Sequence, residues 1–378
     1  MIDFRYHLVS IVAVFLALAI GIVLGSTELQ GIVLQGLSST NNSLHSQLVA
    51  ASSQRDAAAA QAGAAENFLQ TSESLLLGDG HLLSGRKLLV ITEPGAPAPV
   101  VDGVKKAATI AGATVTGQVA LQSSFNDLSG ATQSTLSSIN GSIASSDDIT
   151  LAPGSDPQTT QQQQAAQLIA GATLEAKAQS GRPAQPTQSV QPTQSVQPTQ
   201  SGQSTQSGQG TSDAGAQTLL KAYAQAGFIT ASGTPTERAD LAVVVTPGSV
   251  PADGASDPAN EVLVAIAQAF AGASDVTAIA GAAGPSGQAG SAISVVRSSS
   301  VSSQVSTIDN ADTTQGQITV MQAIATQLAG GKPTSYGISG GSSVSPDPVP
   351  TPATTATPST PPATGQHTGN GGKQVKKK

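Results

Sequence analysis

The chain has 378 residues, and its composition limits how much of it can form a packed core. Aromatic residues make up 2 % and charged residues 10 % of the chain, which also contains 40 glycines and 22 prolines. A net charge of −7 and the lack of a basic groove argue against a nucleic-acid partner. The absence of cysteine excludes disulfides and thiolate metal sites.

An apolar stretch at residues 8–24 contains no charged residue. At 1.5 Å per residue it is about 25 Å long, which is enough for one tilted or slightly short membrane-spanning helix. We therefore assign residues 8–26 to a transmembrane signal-anchor. The side chains predicted to face the membrane are Leu8, Ile11, Phe15, Leu16, Leu18, Ile20, Ile22 and Leu24.

The charges that flank this span predict its orientation. The α-amino group, Asp3 and Arg5 give the head, residues 1–7, a charge of about +1, whereas Glu28 follows the span. The head is therefore expected in the cytoplasm and the rest of the chain outside. A cleaved signal peptide is the alternative. The apolar run is longer than the usual apolar region of a signal peptide, about 7–15 residues, and the A-x-A cleavage pattern is absent, which favours an uncleaved anchor.

Residues 27–77 contain no proline and are rich in helix-forming residues, which predicts a helical stalk. Apolar residues recur with a heptad spacing that Asn41 and Arg55 interrupt, as in a coiled coil that joins copies of the chain. The alternative is a lone amphipathic helix that packs on the following domain. The large side chains of the predicted seam are Leu34, Leu37, Leu44, Leu48, Leu69 and Leu76.

Short apolar strands alternate with amphipathic helices between residues 86 and 339, which predicts a Rossmann-like α/β domain with a parallel sheet. The predicted strands cover residues 88–91, 114–121, 239–247, 276–280, 294–297 and 305–309, and the predicted helices cover residues 101–112, 216–226, 260–271 and 316–328.

Two low-complexity segments interrupt and follow this domain. Residues 153–213 contain a glutamine tract and PTQSVQ repeats, and residues 340–378 are rich in proline and threonine and end in lysines. Neither composition offers an apolar face to bury, so both are expected to be at least partly disordered.

The residues show no motif of an enzyme or of a dedicated metal site. Phosphate-binding glycine motifs and G-x-S-x-G are absent, and the histidines (His7, His45, His81 and His367) all lie outside the α/β body. We therefore expect no catalytic residue and no cofactor, and any metal ligands stay unknown. Asp309, Asn310 and Asp312 could gather around a hard cation, but a capped loop before the last helix explains them more simply.

Two sequence blocks resemble a known family. Residues 5–26, RYHLVSIVAVFLALAIGIVLGS, and residues 305–337, which include IDNADTTQGQ, are similar to the actinobacterial MctB-type copper transporter family. The resemblance covers about residues 1–340 without the repeats and implies an envelope protein, assigned to an outer-membrane channel, that keeps intracellular copper low. It also implies a link to cell separation through relatives in corynebacteria.

The sequence thus supports two functional hypotheses. In the first, the chain is a membrane-anchored component of copper efflux or homeostasis, as the resemblance implies, with copper ions as cargo. In the second, it is a non-enzymatic coiled-coil scaffold that recruits an envelope protein for cell-wall remodelling or cell separation. Both hypotheses predict a membrane protein that forms a homo-oligomer through its stalk.

Overall fold

The structure is a computed structural model that describes residues 4–147, 149–151, 153–154, 156–175, 213–234, 237–248, 258–284 and 291–346. The described residues form one long N-terminal helix and an α/β domain against which the end of that helix packs. The predicted α/β class is confirmed.

The N-terminal helix α1 covers Phe4–Leu76, 73 residues without a break. Its stretch Tyr6–Gly25 is apolar and long enough to cross a membrane, and none of it is buried within the protein. Residues 37–65 are also exposed on every side. The helix ends where Gly78 and Asp79 adopt positive φ angles of 71° and 49°, a backbone conformation that cannot continue a right-handed helix.

The α/β domain is built on a seven-stranded sheet with the order β3-β2-β1-β4-β5-β6-β7. All neighbouring strands are parallel except β3, which runs antiparallel to β2 at one edge. The central strands β1 and β4 are almost entirely apolar because both of their faces are covered. The strands are β1 Lys87–Thr92, β2 Thr114–Leu121, β3 Ile229–Gly233, β4 Leu241–Thr246, β5 Val276–Gly281, β6 Ser306–Ile308 and β7 Ser335–Tyr336.

Helices cover both faces of the sheet, as in doubly wound folds. The first face packs against α3, α4, α5, α6 and α7, and the second against α2, α8 and the end of α1. Alternate side chains of one strand enter the two cores, so that Leu89 lies in the first and Leu88 in the second. The helices are α2 Ala98–Ile110, α3 Gly130–Asp147, α4 Thr160–Thr173, α5 Asp213–Gln225, α6 Pro258–Ala273, α7 Ser291–Ser298 and α8 Thr314–Leu328.

Helix α4 lies within residues 153–213, where the sequence predicts a partly disordered insertion. Its alanines and Leu168 and Ile169 are buried in the first core. Gln162 is fully buried, and its side-chain oxygen accepts a hydrogen bond from Gln133 at 3.0 Å. The folded domain therefore extends into this range, because paired glutamines can be buried when their amides bond each other. The repeats at residues 186–209 lie outside the described residues.

The predicted strand at residues 294–297 is wrong, because these residues belong to helix α7. Val295 and Val296 give the stretch the β-branched character of a strand. In the structure, however, Ala292, Ile293 and Val296 are buried at helical spacing against the first core. A run of eight residues is too short for its period to decide between helix and strand.

Candidate functional site

A buried ion pair joins α7 to the end of β6. Nη1 of Arg297 lies 2.8 Å from Oδ2 of Asp309, with side-chain exposures of 17 % and 0 %. The same guanidinium donates to the Thr307 hydroxyl at 2.9 Å and to the Tyr336 carbonyl at 2.8 Å. The carboxylate also accepts from the backbone N–H of Ile338 at 2.8 Å. The pair thus fastens α7, β6 and the chain after β7 to one another.

These contacts set the ionisation of Asp309. Burial raises the pKa of the carboxyl, but hydrogen bonds from Ser339, from the Ile338 backbone and from Arg297, together with the Arg297 charge, outweigh it. The net result is a pKa below the ordinary value of 3.8. The charged form of Asp309 therefore stabilises the folded state.

Because the pKa of Asp309 is lower in the folded than in the unfolded state, the stability of the protein depends on pH. The stabilisation by the Asp309 carboxylate is complete above the unfolded pKa and is lost as the pH falls through the lowered folded pKa. We expect the unfolding midpoint of the native chain to fall more steeply below about pH 4 than that of Asp309→Asn. Urea unfolding between pH 2 and pH 7 measures this, and parallel curves would contradict the prediction.

In the loop between β6 and α8, Asp312 and Thr313 have partners of their own. Oδ1 of Asp312 accepts from the backbone N–H of Ala283 at 3.1 Å, away from the Arg297 pair. The hydroxyl of Thr313 accepts from the backbone N–H of Gly316 at 3.1 Å, which caps the first turn of α8. The structure thus engages Asp309 and Asp312 with different partners, as the capped-loop interpretation expects.

A second carboxylate reaches this helix start from α1. Oε1 of Glu66 accepts a hydrogen bond from the backbone N–H of Thr314 at 3.1 Å and another from the Thr314 hydroxyl. The N-terminal end of a helix has free N–H groups and a partial positive charge, so a carboxylate is stabilised there. Glu66 therefore anchors the long helix to the first turn of α8.

Three further turns of α1 extend this contact. Leu69 packs against the second core, and Leu77 is fully buried in it. Between them, Glu73 is 2 % exposed and forms an ion pair with Lys106 of α2 at 2.7 Å. Nε2 of Gln322 on α8 donates to the Leu76 carbonyl at 3.3 Å. Residues 66–76, together with Leu77 directly after the helix, thus form what we call the docked end of α1, which lies against α2 and α8.

Removal of the Glu66 carboxylate is expected to loosen this docked end. Glu66→Ala should cost about 1 kcal/mol, as for other lost caps, because the Thr314 N–H loses its acceptor. Faster hydrogen exchange of the Thr314 amide measures the change. Glu66→Gln keeps an acceptor and should cost less, and Asp56→Ala, on the exposed part of α1, should leave the amide unchanged. Equal exchange in all variants would contradict the assignment.

The predicted anchor residues and the predicted seam residues differ in how exposed they are in the structure. The membrane-facing side chains from Leu8 to Leu24 are all exposed along α1. Leu37, Leu44 and Leu48 of the seam are likewise exposed, and the Leu34 side chain lies outside the described ones. Leu69, by contrast, packs on the chain's own domain. Of the outer seam residues, Leu69 is therefore in use within one copy, whereas Leu76 is 39% exposed.

Groups that could bind a metal are dispersed in the structure. His7 and His45 are exposed on α1, and His81 is exposed just beyond it. Met321 is fully buried in α8. Among the described residues, no group of three or more His, Cys, Asp or Glu is close enough to hold a metal ion.

One open cavity lies beside α3 and α4, with a volume of about 880 Å³. Its lining is uncharged and offers mostly hydroxyls and amides. The lining residues are Leu128, Gln133, Ser134, Ser137, Ser138, Pro157, Gln158 and Gln161.

Comparison with known proteins identifies the family. The family described as "Copper transport outer membrane protein, MctB" matches residues 1–346. The chain belongs to this family. "Copper transporter MctB" of Mycobacterium tuberculosis H37Rv and that of Mycobacterium bovis are each 31% identical over 342 residues, 89% of this chain and 96% of theirs. The protein of that name from Mycobacterium leprae is 30% identical over 349 residues, 90% of this chain and 98% of its own. The predicted resemblance is confirmed.

The MctB-like block at residues 305–337 has a structural role in this chain. It contains Asp309 of the ion pair, the Thr313 cap, and Thr314, which binds Glu66. Sequence reasoning missed Arg297 and Glu66 as their partners. Glu66 carries a signal in the sequence, since it is one of few charged residues on a largely neutral helix, but its partner is 248 residues away.

Proposed function

We propose that this chain takes part in copper transport and homeostasis in the cell envelope, as a non-enzymatic protein. The match of the MctB family to residues 1–346 carries the proposal, because it includes both the apolar helix and the α/β domain. The relatives named as copper transporters align over at least 96% of their own length. Copper ions are the cargo in this proposal.

The proposed topology is a single membrane pass, with the head in the cytoplasm and the α/β domain outside. The apolar and fully exposed stretch Tyr6–Gly25 supports it, because such a surface is stable in lipid and costly in water. The 20-residue length of this stretch supports an uncleaved anchor, because the apolar region of a signal peptide is usually shorter. At 1.5 Å per residue, the part of α1 between Gly25 and Glu66 would then hold the domain about 60 Å from the membrane.

Self-association is part of the same proposal. One helix can tether a domain but cannot enclose a path for ions, so a conducting assembly needs several copies or a partner protein. Residues 37–65 of α1 are exposed on every side, so other helices can pack against them. The same surface supports the second candidate, a scaffold that recruits an envelope protein for wall remodelling or cell separation.

Deletion of the gene and measurement of cell-associated copper test the two candidates. For copper transport, we expect the deletion strain to accumulate copper and to become copper-sensitive, and we expect the full chain to reverse both effects. Normal copper content together with a cell-separation defect would overturn the transport proposal in favour of the scaffold. A matched strain that expresses the chain without residues 1–26 shows whether the anchor is required.

A further inference from the structure

The docked end of α1 fixes on which side of the helix the α/β domain sits. Glu66, Leu69, Glu73 and Leu77 are spaced by three or four residues, so they lie on one face of α1. All four contact the domain or are buried in it. From Glu66 onwards, that face of α1 is therefore covered by the chain's own domain.

The predicted seam lies on this same side of α1. Leu48 precedes Glu66 by 18 residues and Leu37 precedes Glu73 by 36 residues. These spacings are about five and ten full turns at 3.6 residues per turn, so each leucine points to the same side of the helix as its glutamate. The axes of paired helices lie about 8–10 Å apart. A domain of about 200 residues has a radius of gyration of about 16 Å. Parallel pairing along the whole seam would force two such domains into the gap between the helices.

We call residues 37–76 of α1 the outer helix. On the side opposite the docked contacts, it carries two large exposed apolar side chains. Phe68 is 68% exposed and Leu75 is 72% exposed. Each stands two residues after a docked glutamate, and residues two apart point to nearly opposite sides of a helix because each residue turns by about 100°. Phe68 and Leu75 are seven residues apart, so they share one face. We call the side formed by residues 57, 61, 64, 68, 71 and 75 the outward face.

The outward face is uncharged and would lie at the same distance from the membrane in two anchored copies, which favours a second copy as its partner. The six residues of this face are all uncharged, whereas the charged residues of the outer helix are Arg55, Asp56, Glu66 and Glu73. Two copies anchored in one bilayer would present Phe68 at the same height, because α1 is unbroken from Phe4 to Leu76. Tethering at a matched height raises the effective concentration of a weak contact.

We propose that two copies of the chain associate through the outward faces of α1, with Phe68 and Leu75 packed against their counterparts and the two α/β domains pointing away from each other. The contact buries little area and depends on shared anchoring, so it rests on the proposed membrane topology. It replaces the predicted seam as the self-association surface of the outer helix.

Single cysteines test which face meets the partner, since the native chain contains none. Ala62 and Ala64 are both exposed and nearly at the same height. Ala62 lies on the seam, because it precedes Leu69 by one heptad, whereas Ala64 lies on the outward face. With a short bismaleimide applied to membranes that contain the full chain, we expect Ala64→Cys to form a cross-linked dimer and Ala62→Cys to give background only. The reverse pattern, equal yields or no cross-link from Ala64→Cys would overturn the proposal.

A second comparison tests the two apolar side chains themselves. Phe68→Ser with Leu75→Ser in the Ala64→Cys chain should reduce the cross-linked fraction at least about tenfold, because the contact loses its apolar area. Leu37→Ser with Leu48→Ser is the matched control and should leave the fraction unchanged. All four positions are exposed, so the fold should persist. An unchanged yield in the Phe68 and Leu75 variant would overturn the proposal. Carbonate extraction of the same membranes reports loss of the anchor separately.

Discussion

Replacement of Arg297 by methionine is expected to lower the free energy of unfolding by about 3–5 kcal/mol. The substitution keeps an apolar stem of similar length but leaves the fully buried Asp309 carboxylate without its cation. It also removes the donors to the Thr307 hydroxyl and the Tyr336 carbonyl. The cost is large because an unpaired charge in a buried site loses its hydration without compensation.

Urea unfolding of the full chain in detergent, followed by circular dichroism, measures this loss. Arg55→Met is the matched control, because Arg55 is 77% exposed and its ion pair with Asp56 is exposed as well. The control should change stability by less than about 0.5 kcal/mol. Arg297→Met combined with Asp309→Asn should lose less than the single variant, since no charge is left unpaired. Equal midpoints for Arg297→Met and Arg55→Met would contradict the role of the pair.

Gly316→Ala is expected to destabilise the protein by about 3 kcal/mol, at the upper end of the usual cost of overpacking. A Cβ at this position would overlap the carbonyl of Asn310 and stand 2.8 Å from the backbone nitrogen of Ala311. Both contacts are with backbone, which cannot rotate away as a flexible side chain would. The first turn of α8 would have to shift, and with it Thr314, the partner of Glu66.

Two measurements separate this effect from a general effect of alanine. Gly141→Ala, in the exposed middle of α3 where nothing lies within 4 Å of the added carbon, should stabilise the protein by about 0.5–1 kcal/mol. Thermal unfolding compares the two variants. Hydrogen exchange at Thr314 should accelerate in Gly316→Ala alone. If both variants unfold at or above the unfolding temperature of the native chain, Gly316 does not approach the Asn310 carbonyl as closely as the structure has it.

The elements with a strong local pattern follow from the sequence. The strand predicted at residues 88–91 lies within β1, and that predicted at 114–121 coincides with β2, because buried parallel strands leave apolar runs between turn residues. The apolar run at residues 8–24 lies within Tyr6–Gly25 of α1. These assignments need no distant partner, since the length and period of the apolar residues carry them.

Elements with a weak local pattern could not be predicted in this way. Helix α4 is rich in glutamine and alanine, so its buried face does not differ clearly from low-complexity sequence. Edge strand β3 has four exposed residues and no apolar alternation, and its partner β2 defines it. In α7, two valines in eight residues give the segment the local preference of a strand, but packing of its residues in the first core favours the helix. In each case, tertiary packing overrides a weak local preference.

A membrane-length apolar helix, a long helical continuation and an α/β domain that resembles the MctB family all follow from the amino-acid pattern. The folded contacts were needed to show that α1 docks through Glu66 on Thr314, that Arg297 neutralises Asp309, and that the docked end of α1 is covered on one face. The reason is physical. Composition and period report what a segment buries, whereas partner choice depends on contacts between residues as far as 248 positions apart.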